Sequence, residues 1–210
     1  MSVELRQLME QTNEIFIRQV KEWGEILSGF ETSNKYKVLN SKGDQVAFLA
    51  ERGGGIWNFI LRQALRTHRT LHITVFSNKN DELVSLHRPF YWFFSDMFIN
   101  AGDGKNIGLV RSRFALFSHT FELLDEKGIA FGFVKAPRLR LWNWSFRIYD
   151  SREKEVGLIS KKWGGILKEV FTDADQFGVQ MPNWSWDKKA ILFACAVTID
   201  LDFFENKKRN

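Results

Sequence analysis

"DKKAILFACAVTIDLDFFE", residues 187–205, decides the architecture. Ala190 to Ile199 is an apolar or near-neutral run, bounded by Lys188 and Lys189 on one side and by Asp200 and Asp202 on the other. A helix that crosses a bilayer needs roughly 20 apolar residues, and a charge at its centre costs about 2.5–3.5 kcal/mol on insertion scales. A window of that length extended past the run takes in both aspartates, which argues against a lone span. A helix apolar on every side belongs inside a protein. A short apolar run also fits a buried strand, so the rest of the chain has to decide.

Upstream, from Tyr36, the apolar period is two and one theme repeats. "YKVLNSKGDQVAFLAE", "LHITVFSNKNDELVSLHRP", "MFINAGDGKNIGLVRSRF", "HTFELLDEKGIAFGFVKAP" and "SFRIYDSREKEVGLISKKW" each read as strand, polar turn, strand. A Gly, Asn, Asp or Ser cluster between alternating apolar stretches is the signature of a hairpin. Five hairpins in succession make an antiparallel meander, which must curl or close to remove its edges. A helix threaded through a closed barrel satisfies both the meander and the C-terminal run. The expected fold is therefore mainly β: a closed antiparallel barrel around a buried hydrophobic helix near residues 187–199.

Two further helices are expected. Leu5, Leu8, Phe16, Val20, Trp23 and Leu27 recur at three- and four-residue steps until Gly29, which predicts an N-terminal amphipathic helix over residues 1–28 and a barrel domain over 29–210. "GGGIWNFILRQALRTHR" puts Ile56, Ile60 and Ala64 on one face, and Arg62, Arg66 and Arg69 make it a short basic helix.

Composition narrows the partners. The 20 Phe and 8 Trp among 210 residues exceed what a single core needs, so some rings belong at an interface. A net charge of +5 suits an anionic surface. Nucleic acid is disfavoured, because no compact Lys/Arg run or reading helix is present. Cys195 is the only cysteine, which excludes disulfides and thiolate metal sites within the chain and points to a reducing compartment. "MSVELRQLMEQ" has no apolar signal core.

Three stretches carry a resemblance: "LSGFETSNKYKVLNSKGDQVAFLAE", "ISKKWGGILKEVFTDADQFGVQMP" and "IDLDFFE". With them the chain resembles the phospholipid scramblase family, from about Leu27 to Glu205. The block "FTDADQFGVQ" beside "KWGGILKE" is the most specific part. The resemblance implies a tubby-like barrel closed around a hydrophobic C-terminal helix. It also implies phospholipid binding at a membrane and, further, transbilayer lipid movement. Animal members carry a proline-rich N-terminal extension and acylated cysteine clusters. Here "GGGIWNFILRQ", "RPFYWFFSD" and "APRLRLWNWSF" stand where those clusters fall, so thioester anchors are excluded there and the chain looks more bacterial than animal.

The same resemblance draws attention to "FTDADQFGVQMP". An EF-hand loop wants oxygens at its first, third, fifth, seventh, ninth and twelfth places. Asp173 and Asp175 fill the first and third, and Gly178 supplies the turn at the sixth. Phe177 and Trp184 then occupy the fifth and twelfth, and Asp187 lies three residues too far along to replace the latter. Phe177, Val179 and Met181 alternate as a strand does. The loop is expected to be a turn leading into a strand, with Asp173 and Asp175 a weak calcium site at most and no cofactor required.

Other chemistry finds little support. His68 and His72 have metal-ligand spacing, but His72 opens an alternating strand. There is no Gly-x-Ser-x-Gly elbow, Walker loop or His-Glu-x-x-His, so no catalytic residues are assigned. Asp200, Asp202 and Glu205 read equally as a carboxylate cluster or as the polar end of a core helix. The functional candidates are aromatic and basic: Trp57, Arg62 and Arg66; Phe90, Trp92 and Phe93 within "FYWFF"; and Arg138, Arg140, Trp142 and Trp144. Trp and Tyr favour bilayer interfaces, and Arg attracts anionic headgroups. In a strand the rings of "FYWFF" would point alternately to its two sides.

These residues predict a non-enzymatic protein bound peripherally to the cytoplasmic side of the plasma membrane, with an anionic phospholipid surface as its partner. Lipid movement by so short a helix would demand oligomers or bilayer distortion. The alternative class is a soluble tubby-like interaction or regulatory module without scrambling activity.

Overall fold

The computed structural model describes residues 3–20, 35–51, 70–92, 95–115, 118–136, 145–160 and 176–202. In chain order the elements are α1 (Val3–Gln11), β1 (Glu14–Gln19), β2 (Lys35–Leu39), β3 (Gln45–Glu51), β4 (Leu71–Ser77), β5 (Glu82–Arg88) and β6 (Asp96–Ala101). They continue with β7 (Asn106–Ala115), β8 (Ser118–Asp125), β9 (Ala130–Lys135), β10 (Ser145–Asp150), β11 (Glu155–Ser160), β12 (Gln176–Gln180) and α2 (Trp186–Asp200). The strands form one closed antiparallel barrel in which each pairs with its neighbours in sequence, and β1 closes the ring against β12.

All five expected hairpins are present, and they share one turn. In the first, the Gly43 amide donates to the Asn40 carbonyl and the Asn40 amide to the Asp44 carbonyl; the same two bonds recur at Ser77, Ala101, Asp125 and Asp150. The fourth residue of each turn has positive φ: Gly43, Asn80, Gly104, Gly128 and Glu153. That is the hairpin built from a type I turn followed by a left-handed residue, and the register shifts by one beside each turn. The Oδ1 atoms of Asn40, Asp125 and Asp150 and the Oγ of Ser77 accept the amides two and four residues on. These short polar side chains are why the sequence turns there.

Because the strands alternate in direction, the five tight turns and α1 lie at one end of the barrel. The six other connections, after β1, β3, β5, β7, β9 and β11, leave from the opposite end, called the rim below.

The N-terminal expectation needs correction. The helix stops at Gln11, and Glu14–Gln19 is strand β1 rather than a continuation of it. The Thr12 hydroxyl turns back to the Leu8 carbonyl, 2.5 Å away. Branched Ile15 and Ile17 then point into the core from a strand hydrogen-bonded on both sides. Tertiary pairing outweighs the helical spacing that Phe16 and Val20 suggested. The strand expected at Phe177 and Val179 is β12. The basic helix expected around Ile56 lies outside the described residues.

The C-terminal expectation holds. Every residue of α2 from Lys189 to Asp200 is buried. An eight-stranded barrel is filled by its own side chains, whereas a helix with side chains needs about 10–12 Å. Twelve strands make that room. At Gly108 (φ +156°) a Cβ would lie 2.7 Å from the Ile191 side chain and 2.3 Å from the Leu124 carbonyl, so the wall must be glycine where the helix presses on it.

Charges at both helix ends have the wrong sign for the helix dipole, and each is met from outside the helix. The Lys189 ammonium, at the N-terminal end, donates to the Thr12 carbonyl just past the C-terminal end of α1, at 3.0 Å. Burial pushes its pKa below the ordinary value, with Glu10 opposing. At the other end Tyr36 Oη donates to Asp200 Oδ2 at 2.9 Å, and Arg88 pairs with Asp202.

Cys195 reports on this arrangement. Its side chain is buried, and burial raises its thiol well above the ordinary pKa, so it stays protonated at neutral pH. A bulky maleimide should modify it only at the rate of global unfolding, and at once in denaturant. Fast labelling of the native protein would show that the barrel is open.

Candidate lipid-facing rim

The residues singled out in the sequence fall on rim connections, not on the tight turns. The connection from β3 to β4 includes residues 52–69, with Trp57, Arg62 and Arg66; that from β9 to β10 includes 137–144, with Arg138, Arg140, Trp142 and Trp144. Asp173 and Asp175 precede β12. All of these, and Phe93, His68 and Glu205, lie outside the described residues; the strands that bracket the connections fix which end of the barrel they leave and rejoin.

The β5–β6 connection supplies the described part of the site. Phe90 to Trp92 are not in a strand, so the rings do not alternate across a sheet. Phe90 is 39% exposed and Trp92 is 73% exposed, and they meet edge to face with centroids 5.2 Å apart. Edge-to-face contact is a preferred aromatic geometry. The two rings brace each other while staying in solvent.

Beneath this tip lies a polar layer that the sequence reading did not identify. Arg88, the last residue of β5, holds Asp202 at 2.7 Å, and both side chains are nearly inaccessible. The Arg88 guanidinium also lies 5.3 Å from the centroid of the Tyr91 ring, a cation–π contact. One buried cation thus touches both the end of the core helix and the base of the aromatic tip. The available signal was chemical: acids buried at a helix C-terminus need donors, and Arg88 heads the "RPFYW" run.

Two other pairs were not foreseen. Ser112 Oγ and His119 Nε2 are 2.6 Å apart, both buried on the inner face, and tie β7 to β8 near the rim. His72 and His87 are directly opposite on β4 and β5, with rings stacked at 4.2 Å. His72 therefore sits in the strand its neighbours implied. Among the described residues no three His, Cys, Asp or Glu side chains are grouped to hold a metal ion.

No described helix is long and apolar enough to cross a membrane. The wall does not match a bilayer either. A membrane-spanning strand needs about 9–11 residues and an apolar outer band. Apart from β7 the strands have five to eight residues, and the outer face carries the pairs Arg111–Asp96, Arg113–Glu122 and Arg147–Glu155. A closed barrel filled by its C-terminal helix, with an exposed aromatic tip at its rim, defines a barrel protein that can meet a surface end-on.

Comparison with known proteins supplies the family. A family model described as Scramblase matches residues 2–206, and the chain belongs to that family. It is 32% identical to phospholipid scramblase 1 of Homo sapiens over 94% of this chain and 65% of that protein's length. It is 30% identical to human phospholipid scramblase 2 over 95% of this chain and 70% of that protein. It is also 25% identical to the Saccharomyces cerevisiae protein named altered inheritance rate of mitochondria protein 25, over 96% of this chain and 73% of the yeast one. No solved structure matches.

Removing one partner of a buried ion pair leaves the other charge uncompensated, at a cost of about 3–5 kcal/mol. Arg88→Met should therefore lower unfolding free energy by that order, measured by urea denaturation. The double change Arg88→Met with Asp202→Leu should recover most of the loss, which a merely bulky role for Arg88 would not produce.

Proposed function

We propose that this chain is a peripheral, non-enzymatic member of the scramblase family that binds phospholipid at an anionic bilayer surface through its rim. The observation that carries this reading is the Phe90–Trp92 tip, two large rings held in solvent at one end of the barrel. The remaining basic and aromatic candidates lie on connections that leave from that same end, which supports a single attachment surface. Relatives named phospholipid scramblase make phospholipid the natural partner.

Energetics favour a surface of several weak contacts. Each ring contributes through its buried apolar area at roughly 25 cal/mol per Å². Each Arg near an anionic leaflet adds about 1 kcal/mol, reduced by salt. Lipid movement between leaflets is the further step in this reading. The buried α2 offers no path for it, so lipid would travel outside the barrel, helped by oligomers or local bilayer distortion.

Flotation with vesicles tests the attachment. Wild type should float with anionic vesicles, less so at high salt, and keep a salt-resistant fraction from the rings. Phe90→Ala with Trp92→Ala should remove most of that fraction while the far-ultraviolet dichroism stays unchanged. A soluble interaction module would stay at the bottom of the gradient whatever the lipid.

This reading assigns no required metal. Two carboxylates, Asp173 and Asp175, with apolar residues at the fifth and twelfth loop places hold a hard dication poorly. The melting temperature should be the same in calcium and in chelator. A calcium-dependent rise that disappears in Asp173→Ala would overturn the assignment.

A further inference from the structure

We infer that the barrel wall carries a separate recognition site for a zwitterionic headgroup, a phosphate and an ammonium joined by a short chain. The inference rests on the phospholipid reading above and adds to it the chemical class of the ligand.

The site is a cleft of about 620 Å³ on the outer face of β5–β8. That volume lies within the range of small-molecule sites, about 300–1,000 Å³. Its floor is a row of directly opposed residues, His87, Phe98 and Leu109, on three adjacent strands. Asn100 and Asn106, opposite each other on β6 and β7, flank the row. The tight turn after β8 closes one end with Asp125, Glu126 and Lys127.

Phe98 is the informative residue. It is a large apolar ring, 38% exposed, in a cleft whose other lining residues, Leu109 and Gly128 apart, are polar or charged. A ring face beside carboxylates is how an ammonium, including a quaternary one, is recognised. Glu126 is available for that role: it pairs loosely with Lys105 at 3.7 Å, both side chains about half exposed or more. Lys127 is exposed and can meet a phosphate as a point charge, with the Asn100 and Asn106 amides as neutral donors. A ligand of one sign would meet both charges at this turn. A zwitterion gives each charge its complement.

Placement agrees with the chemistry. His87 directly precedes Arg88 at the rim, and Asp125–Gly128 form a turn at the opposite end, so the cleft runs along the barrel wall. With α2 sealed inside, an outer cleft is where a headgroup could leave the rim without entering the core.

Glycerophosphocholine, which has the headgroup and no acyl tails, is the probe. It should shift the side-chain amide resonances of Asn100 and Asn106 with a dissociation constant on the order of 1 mM, as expected for so small a ligand. Phe98→Ala and Lys127→Glu should each weaken binding about tenfold. Lys127 is exposed in a turn held by its backbone and by Asp125, so that variant keeps the fold even if the Phe98 change does not. Equal shifts with choline alone or inorganic phosphate alone, or no shift at all, would overturn the assignment. Both variants should float with anionic vesicles as wild type does. Headgroup binding without flotation supports the cleft and sinks the rim attachment; flotation without headgroup binding does the reverse.

Discussion

Every side of α2 has to be kept from water at once, and only a closed wall does that. Leu192, Phe193 and Val197 are each within 2% of full burial. Burying such side chains contributes about 1.5–3 kcal/mol apiece, so the helix is a major part of the core as well as its axis. The wall yields to it at Gly108, where no side chain fits against Ile191. The same enclosure traps charges at both helix ends, and α1, β2 and β5 answer them through Thr12, Tyr36 and Arg88. The placement of α1 agrees with this: it sets the Thr12 carbonyl, just past its end, against the one lysine that the helix buries.

Closure also divides labour between the two ends. Five near-identical turns, each fastened by an Asn, Asp or Ser side chain or by glycine, leave little freedom at the α1 end. The rim has no such uniformity. Its connections differ in length from two residues between β7 and β8 to nineteen between β3 and β4. Variable loops on a rigid scaffold are where binding residues collect. The aromatic and basic candidates follow that rule without any of them being needed to close the barrel.

The legible parts of the sequence were those in which local chemistry and tertiary structure agree. Alternating strands around an Asn-Ser-Lys-Gly or Asp-Glu-Lys-Gly turn announce a hairpin by themselves. So does a helix apolar all round announce a core. β1 was misread because "EIFIRQ" carries helical spacing into Val20, and only its partners β2 and β12, distant in sequence, make it a strand. Arg88 and Tyr36 were missed for the same reason: Tyr36 and Asp200 are 164 residues apart, Arg88 and Asp202 114. The aromatic tip was visible as composition, but its exposure depends on β5 ending at Arg88, which composition does not show.

Arg88 joins these separate facts. A cation buried this deeply is stable only while its partner acid is held close, and Asp202 is held by the end of α2. Its guanidinium face supports Tyr91, the ring between Phe90 and Trp92. The aromatic tip is therefore tied through one side chain to the C-terminal end of the core helix. The residue that answers the acid at the end of the core helix is thus also the residue beneath the aromatic tip.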